Sequence, residues 1–96
     1  MILNYIRTEK LAVATGAASD STFTNADRPI TLAVVSSAAF HVSIGDAGSA
    51  TTSKAYFPAN QIHVFTVPAG KTLSLRGTSS TDAWVSEVSI VPNTGN

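Results

Sequence analysis

His41 and His63 are the chain's only histidines. As metal ligands they would need at least a third partner at a recognisable spacing. None stands there, and both alternate with apolar neighbours, so they read as surface or interface residues. Gly70-Lys71-Thr72 has the ending of a phosphate-binding loop. The full pattern requires a glycine where Phe65 stands, and a helix where Thr72-Leu73-Ser74-Leu75-Arg76 alternates as a strand. This is the sequence of a β-turn carrying an exposed lysine. Asp46-Ala47-Gly48-Ser49 resembles the start of a calcium loop but lacks the later acidic ligands and the closing glutamate. Serines are plentiful, yet no Gly-x-Ser-x-Gly elbow occurs, and two histidines give a triad little support. Asp82 and Glu87 have no sequence feature that would join them as a carboxylate pair. Trp84 with Tyr5, Tyr56 and Asn60 offers the elements of a sugar platform, although a lone tryptophan on an alternating strand is more often core. Taken together, these residues do not describe an enzyme, and they call for no cofactor or metal.

The composition points the same way. Ninety-six residues make one domain with a modest core, residues 1–96, and there is no cysteine to staple it. Charged residues are only 12%, whereas Ser and Thr together fill 24 positions. A hydroxyl-rich surface at zero net charge is poorly protected against association, which favours a protein that lives in an assembly. Six basic and six acidic residues spread along the chain leave no footprint for nucleic acid. No apolar run approaches the ~20 residues of a membrane helix, so neither nucleic acid nor a membrane is an expected partner. The start, Met1 to Arg7, lacks a basic n-region and an adequate apolar stretch and is not read as a signal peptide.

The elements that would position these residues are strands. Phe40-His41-Val42-Ser43-Ile44 alternates, as do Leu11 to Thr15, Ile30 to Val35, Ile62 to Val67, Thr72 to Arg76 and Ala83 to Val91. Gly16 to Asp27 is loop-rich, with Phe23 turning inward. Ser36 to Ala39 is read as a short link making a hairpin-like pair. Gly45 to Ala55 is a long small-residue loop, and Pro92 to Asn96 a polar tail. In Pro68-Ala69-Gly70-Lys71, proline is read at the first central position of a turn, with Gly70 tolerating positive φ. Short strands with turn signals every eight to twelve residues specify an all-β fold, an antiparallel β-sandwich or small barrel. Val42, Ile44, Val64, Leu73, Leu75, Trp84, Val88 and Ile90 are expected to be mostly buried.

The order of segments then resembles small virion proteins of tailed bacteriophages. The resemblance is carried by Tyr5-Ile6-Arg7-Thr8-Glu9-Lys10-Leu11, Ile30 to Val35 and Phe40 to Gly45. It continues through Ala50-Thr51-Thr52-Ser53, Phe57-Pro58-Ala59-Asn60, Val64-Phe65 and Val67-Pro68-Ala69-Gly70-Lys71. It implies a single β-sandwich, jelly-roll-like, of six to eight short strands. It also implies a capsid decoration (cement) protein on the exterior of a phage head, a homo-oligomer, with a trimer expected, whose partner is the major capsid protein. A receptor- or glycan-binding module of a tail or head fibre is the alternative. Residues 1–10 read as a first strand or arm packed on their own domain or, more sharply, as an amino-terminal arm that docks on a neighbouring subunit. Ile2, Leu3, Tyr5 and Ile6 are sizeable apolar groups in a segment too short for its own core, and are the expected interface.

Overall fold

Val, Ile, Thr and Phe lose side-chain freedom in a helix but fit a pleated surface, where one face can be buried and the other left polar. The chain takes that solution throughout. The computed structural model describes residues 2–91, and no helix occurs among them. The strands are β1 (Ile2–Val13), β2 (Ser19–Asp20), β3 (Ile30–Ser36), β4 (Phe40–Gly45), β5 (Ala55–Phe57), β6 (His63–Val67), β7 (Thr72–Gly77) and β8 (Thr81–Val91).

They form two four-stranded antiparallel sheets, β1-β8-β3-β6 and β2-β7-β4-β5. The fold is therefore an antiparallel β-sandwich. Its pairing is nested: β1 lies against β8, β2 against β7, β3 against β6 and β4 against β5. A long antiparallel ribbon folded at the β4–β5 loop and rolled on itself gives this order, which is the jelly-roll arrangement of double-sheet proteins.

The core lies between the sheets. Leu32, Val34, Ala83 and Val85 face it from the first, and Phe40, Val42, Leu73 and Leu75 from the second, closed by Val13, Phe23 and Val67. Phe23 turns inward from its loop, as expected. Phe57 and Phe65 meet edge to face at 5.0 Å and extend the apolar cluster to the side.

Several details differ from the sequence reading. Phe40–Gly45 does not form a hairpin with Ile30–Ser36, because the short link between them carries the chain from one sheet to the other. The first strand starts at Ile2 rather than Leu11, since β8 is long enough to pair with it along its whole length. The Pro68–Lys71 turn is closed by the Lys71 N–H donating to the Pro68 carbonyl at 3.1 Å, with Gly70 at φ 75°. Proline thus occupies its first corner rather than a central position. Trp84, Ile90 and Ile44 are exposed and Val64 only half-buried, whereas Val42, Leu73, Leu75 and Val88 are buried as expected. The division of β8 into faces was legible, but its core side is the one bearing Ala83 and Val85. Register explains this: Ala83 sits opposite Ser36 and Val85 opposite Val34, both fully core-facing. The tail expected over Pro92 to Asn96 lies outside the described residues.

Gly77 marks the tightest point of the sandwich. A Cβ there would meet the Ser79 carbonyl oxygen at 2.6 Å and Val13 at 2.9 Å. Its N–H donates to the Ala14 carbonyl, tying β7 to the end of β1. Overpacking of this kind costs about 1–3 kcal/mol. Gly77→Ala should lower the unfolding free energy by that amount in urea denaturation. Gly45→Ala, where the added methyl meets open space, should change it by less than about 0.5 kcal/mol.

Candidate interaction surface

Each sheet has a second face turned away from the core, and the two are treated in opposite ways. On the β2-β7-β4-β5 sheet this face is mostly polar, and the chain itself covers the part around Ser43 and Ser74, leaving Tyr56 exposed. Ser43 and Ser74 are cross-strand neighbours there. The β4–β5 loop folds over them: Ser49 Oγ donates to Ser43 Oγ at 2.9 Å, and the Ala50 N–H donates to Ser74 Oγ at 3.2 Å. The Asp20 carboxylate accepts the Gly48 N–H, at 2.9 and 3.0 Å to its two oxygens. Gly48 adopts φ 73°, which glycine tolerates without cost. Ala50 and Ser74 are buried as a result. What resembled the start of a calcium loop is a lid held by serine hydroxyls and one aspartate.

The outer face of the β1-β8-β3-β6 sheet is apolar and bare. Alternation and register place Leu3, Tyr5, Thr8 and Lys10 of β1 on it. The same rule adds Asp82, Trp84, Ser86, Val88 and Ile90 of β8, Thr31, Ala33 and Val35 of β3, and Val64 and Thr66 of β6. Trp84 is 44% exposed, Tyr5 55% and Ile62 58%. These three stand around a shallow depression whose other walls are Ala33, Val35 and Ser86. Ser86 and Thr8 share a hydrogen bond at 2.7 Å across the strand pair. Of the nine large hydrophobic residues exposed among the described residues, seven belong to this sheet or border it, and only Ile44 and Tyr56 belong to the other. The asymmetry is a property of the fold, not of overall hydropathy.

The expected interface residues divide over this sheet. Ile2–Val13 is its edge strand, hydrogen-bonded to β8 along its length, and Ile2 pairs with Val91. Beyond the start of β3, β1 and β8 continue as a two-stranded ribbon, and the molecule extends 47 × 30 × 21 Å. A bulge between Tyr5 and Arg7 inserts Ile6 as an extra residue. It resets the alternation so that Tyr5 points outward while Arg7 points to the core side. There Arg7 bonds Glu87 at 2.7 Å and lies 4.3 Å from the centre of the Phe23 ring, capping the open end of the core. Leu3 and Tyr5 thus join the bare face, Ile2 lies on the opposite side of the ribbon, and Ile6 is 60% exposed at the bulge.

The remaining candidates are scattered. The His63 Nε2–H donates to the Pro58 carbonyl at 3.0 Å while the ring packs against Phe57, and His41 Nδ1 meets the Lys54 carbonyl on the other sheet. Among the described residues, no three His, Cys, Asp or Glu side chains converge on a metal position. Asp82 and Glu87 project from opposite faces of β8, and Glu87 is taken by Arg7. Tyr56 packs against His41, away from Trp84, so the four-residue sugar platform does not assemble. Trp84 and Tyr5 do come together. Ile62, Ala33 and Ser86 were not singled out from sequence. Ile62 precedes its strand in a turn, where an apolar residue gives no periodic signal, and small residues flooring a depression resemble any others.

Comparison with known protein families, with curated proteins and with solved structures finds no match to this chain. The geometry alone therefore separates surface from scaffold. Ile2→Ser and Ile6→Ser should each shift the unfolding free energy by no more than about 0.5 kcal/mol. Leu32→Ala, in the fully buried layer, should cost about 2–5 kcal/mol. Chemical denaturation followed by far-UV circular dichroism measures all three.

Proposed function

We propose that this chain is a non-catalytic assembly module, a virion structural protein that decorates and braces a phage capsid by docking on its major capsid protein. The observation carrying this reading is the concentration of exposed apolar side chains on one sheet, in a chain with few charges. Isolated soluble proteins rarely expose a contiguous apolar patch of more than a few hundred Å². Here Ile2 and Ile90 lie on opposite sides of the projecting β1–β8 ribbon, with Tyr5 and Ile6 at its base, and the ribbon has the reach to lie on a neighbouring subunit. A two-stranded ribbon is only marginally stable in water, and contact with a shell would supply the packing it lacks. Each contact is small, but a shell presents the same site many times. Bracing then comes from the number of bridges rather than the strength of one. The resemblance to small phage virion proteins supports the same reading. Fold alone does not, since sandwiches of this kind host unrelated functions.

A second reading has one observation in its favour. Trp84 lies on the surface beside Tyr5 rather than in the core, with hydroxyls of Ser86 and Thr8 at hand, as a glycan-binding face would have. Titrating simple sugars against the fluorescence of Trp84 separates the two, a saturable change marking the glycan reading.

The decoration reading is tested on purified particles of the virus that carries this chain. Quantitative mass spectrometry should find the protein in a fixed ratio to the shell subunit, in many copies per particle. Its absence from particles, or presence in a handful of copies, overturns the reading. Added back to stripped shells, the wild type should co-sediment, and Ile2→Ser combined with Ile6→Ser should weaken binding by about tenfold or more.

A further inference from the structure

We propose that the bare outer face of the β1-β8-β3-β6 sheet is a homotypic interface, occupied by the same face of a second copy of this chain in a two-fold stack. The inference rests on the assembly reading and names a partner for a surface that the ribbon contact leaves open.

Three features of the face fit a second copy. The first is shape. An isologous pair needs a surface complementary to itself, with knob and hole on the same patch. Trp84 and Ile62 stand up from the face, and between them lies the depression floored by Ala33 and Ser86. Ala33 and Ser86 are small and buried, at 3% and 6% exposed, so the floor sits low between the taller Trp84 and Ile62. Trp84 of one copy can occupy that depression in the other, and the reverse contact follows by symmetry.

The second feature is charge. The only charged side chains that register places on this face are Lys10 and Asp82, of opposite sign and at the same end of neighbouring strands. The chain as a whole carries no net charge. Two such faces bring charges of both signs, not one, to the Trp84 end, where Lys10 lies directly across from Trp84, and no charge stands near Ala33 and Val88. The other sheet offers no equivalent, because the β4–β5 loop with Asp20 and its serine hydroxyls lies across it.

The third feature is area. Strands of 12, 11, 7 and 5 residues, at a spacing of ~4.8 Å and a rise of ~3.3 Å per residue, present roughly 550 Å² in projection. Pleated side-chain surface exceeds its projection. The face therefore comes close to the ~600–800 Å² per partner that specific pairs bury. A face-to-face stack uses one patch twice, whereas a three-fold ring would need two different patches.

Sedimentation velocity on the full chain at micromolar concentration, without capsids, is the test. The expected result is a defined dimer. Because Trp84 is the only tryptophan, its emission should shift to the blue as concentration drives pairing. Trp84→Glu should weaken association by about thirtyfold or more, the scale of losing a central aromatic anchor. Ile62→Lys, at a 58% exposed position outside the strands, serves if the first variant misfolds and should do the same. Tyr56→Glu, equally exposed but on the other sheet, should pair as wild type does. A wild type monomeric at its highest soluble concentration overturns the proposal. So does an oligomer of any order whose mass ignores both face variants while circular dichroism shows them folded. Capsid binding is measured separately, so loss of either result leaves the other standing.

Discussion

The architecture depends on β8 having a hydrogen-bonded neighbour on both sides. Between β1 and β3 it is paired on both sides from Ala83 to Val88, and a strand held this way cannot slip by one residue without turning its whole core set outward. Val85 opposite Val34 and Ala83 opposite Ser36 fix that register from the buried side. Trp84 is consequently forced outward. Its exposure is no packing failure; it is what the neighbouring residues require. The same register carries β1 as an edge strand and sends the ribbon beyond the sandwich.

Much of this was written in the alternation of the chain. The strands from Ile30 onward other than β5, the inward turn of Phe23 and the small-residue loop after Phe40–Gly45 follow from spacing and side-chain shape and are found, whereas the start of β1 and the short β2 and β5 are not. The choice between the two faces of β8 was not legible. Period-two alternation says which residues travel together, but not which set meets the core, and the largest side chain is a poor guide when both faces carry apolar groups. Here the inward positions are filled by Ala83 and Val85, small enough to share the core with Phe40 and Leu32 without overpacking. The crossing of the Ser36–Ala39 link between sheets was also hidden, because a short polar link serves a hairpin and a sheet-to-sheet arch equally well. Pairing partners far apart in sequence decide between them.

The candidate surface was half visible. Ile2, Leu3, Tyr5 and Ile6 stood out as apolar groups without a core of their own. The structure places them on a paired edge strand and, through the Ile6 bulge, on different sides of it. Trp84, expected inside, stands exposed on the bare face. No local signal separates a core tryptophan from a surface one. Only the register of β8 with β3 does so, and it is a long-range property.

The lid over the second sheet has a consequence for how large an assembly can grow by stacking. A sandwich with two bare apolar faces would be divalent, and copies could pile up without end into a fibre. By tucking its own loop across one face, with Asp20 gripping Gly48 and the serines closing over Ala50, the chain makes itself monovalent along that axis. Any stack begun on the open side terminates at two layers, and further growth must proceed sideways, through the edges and the ribbon.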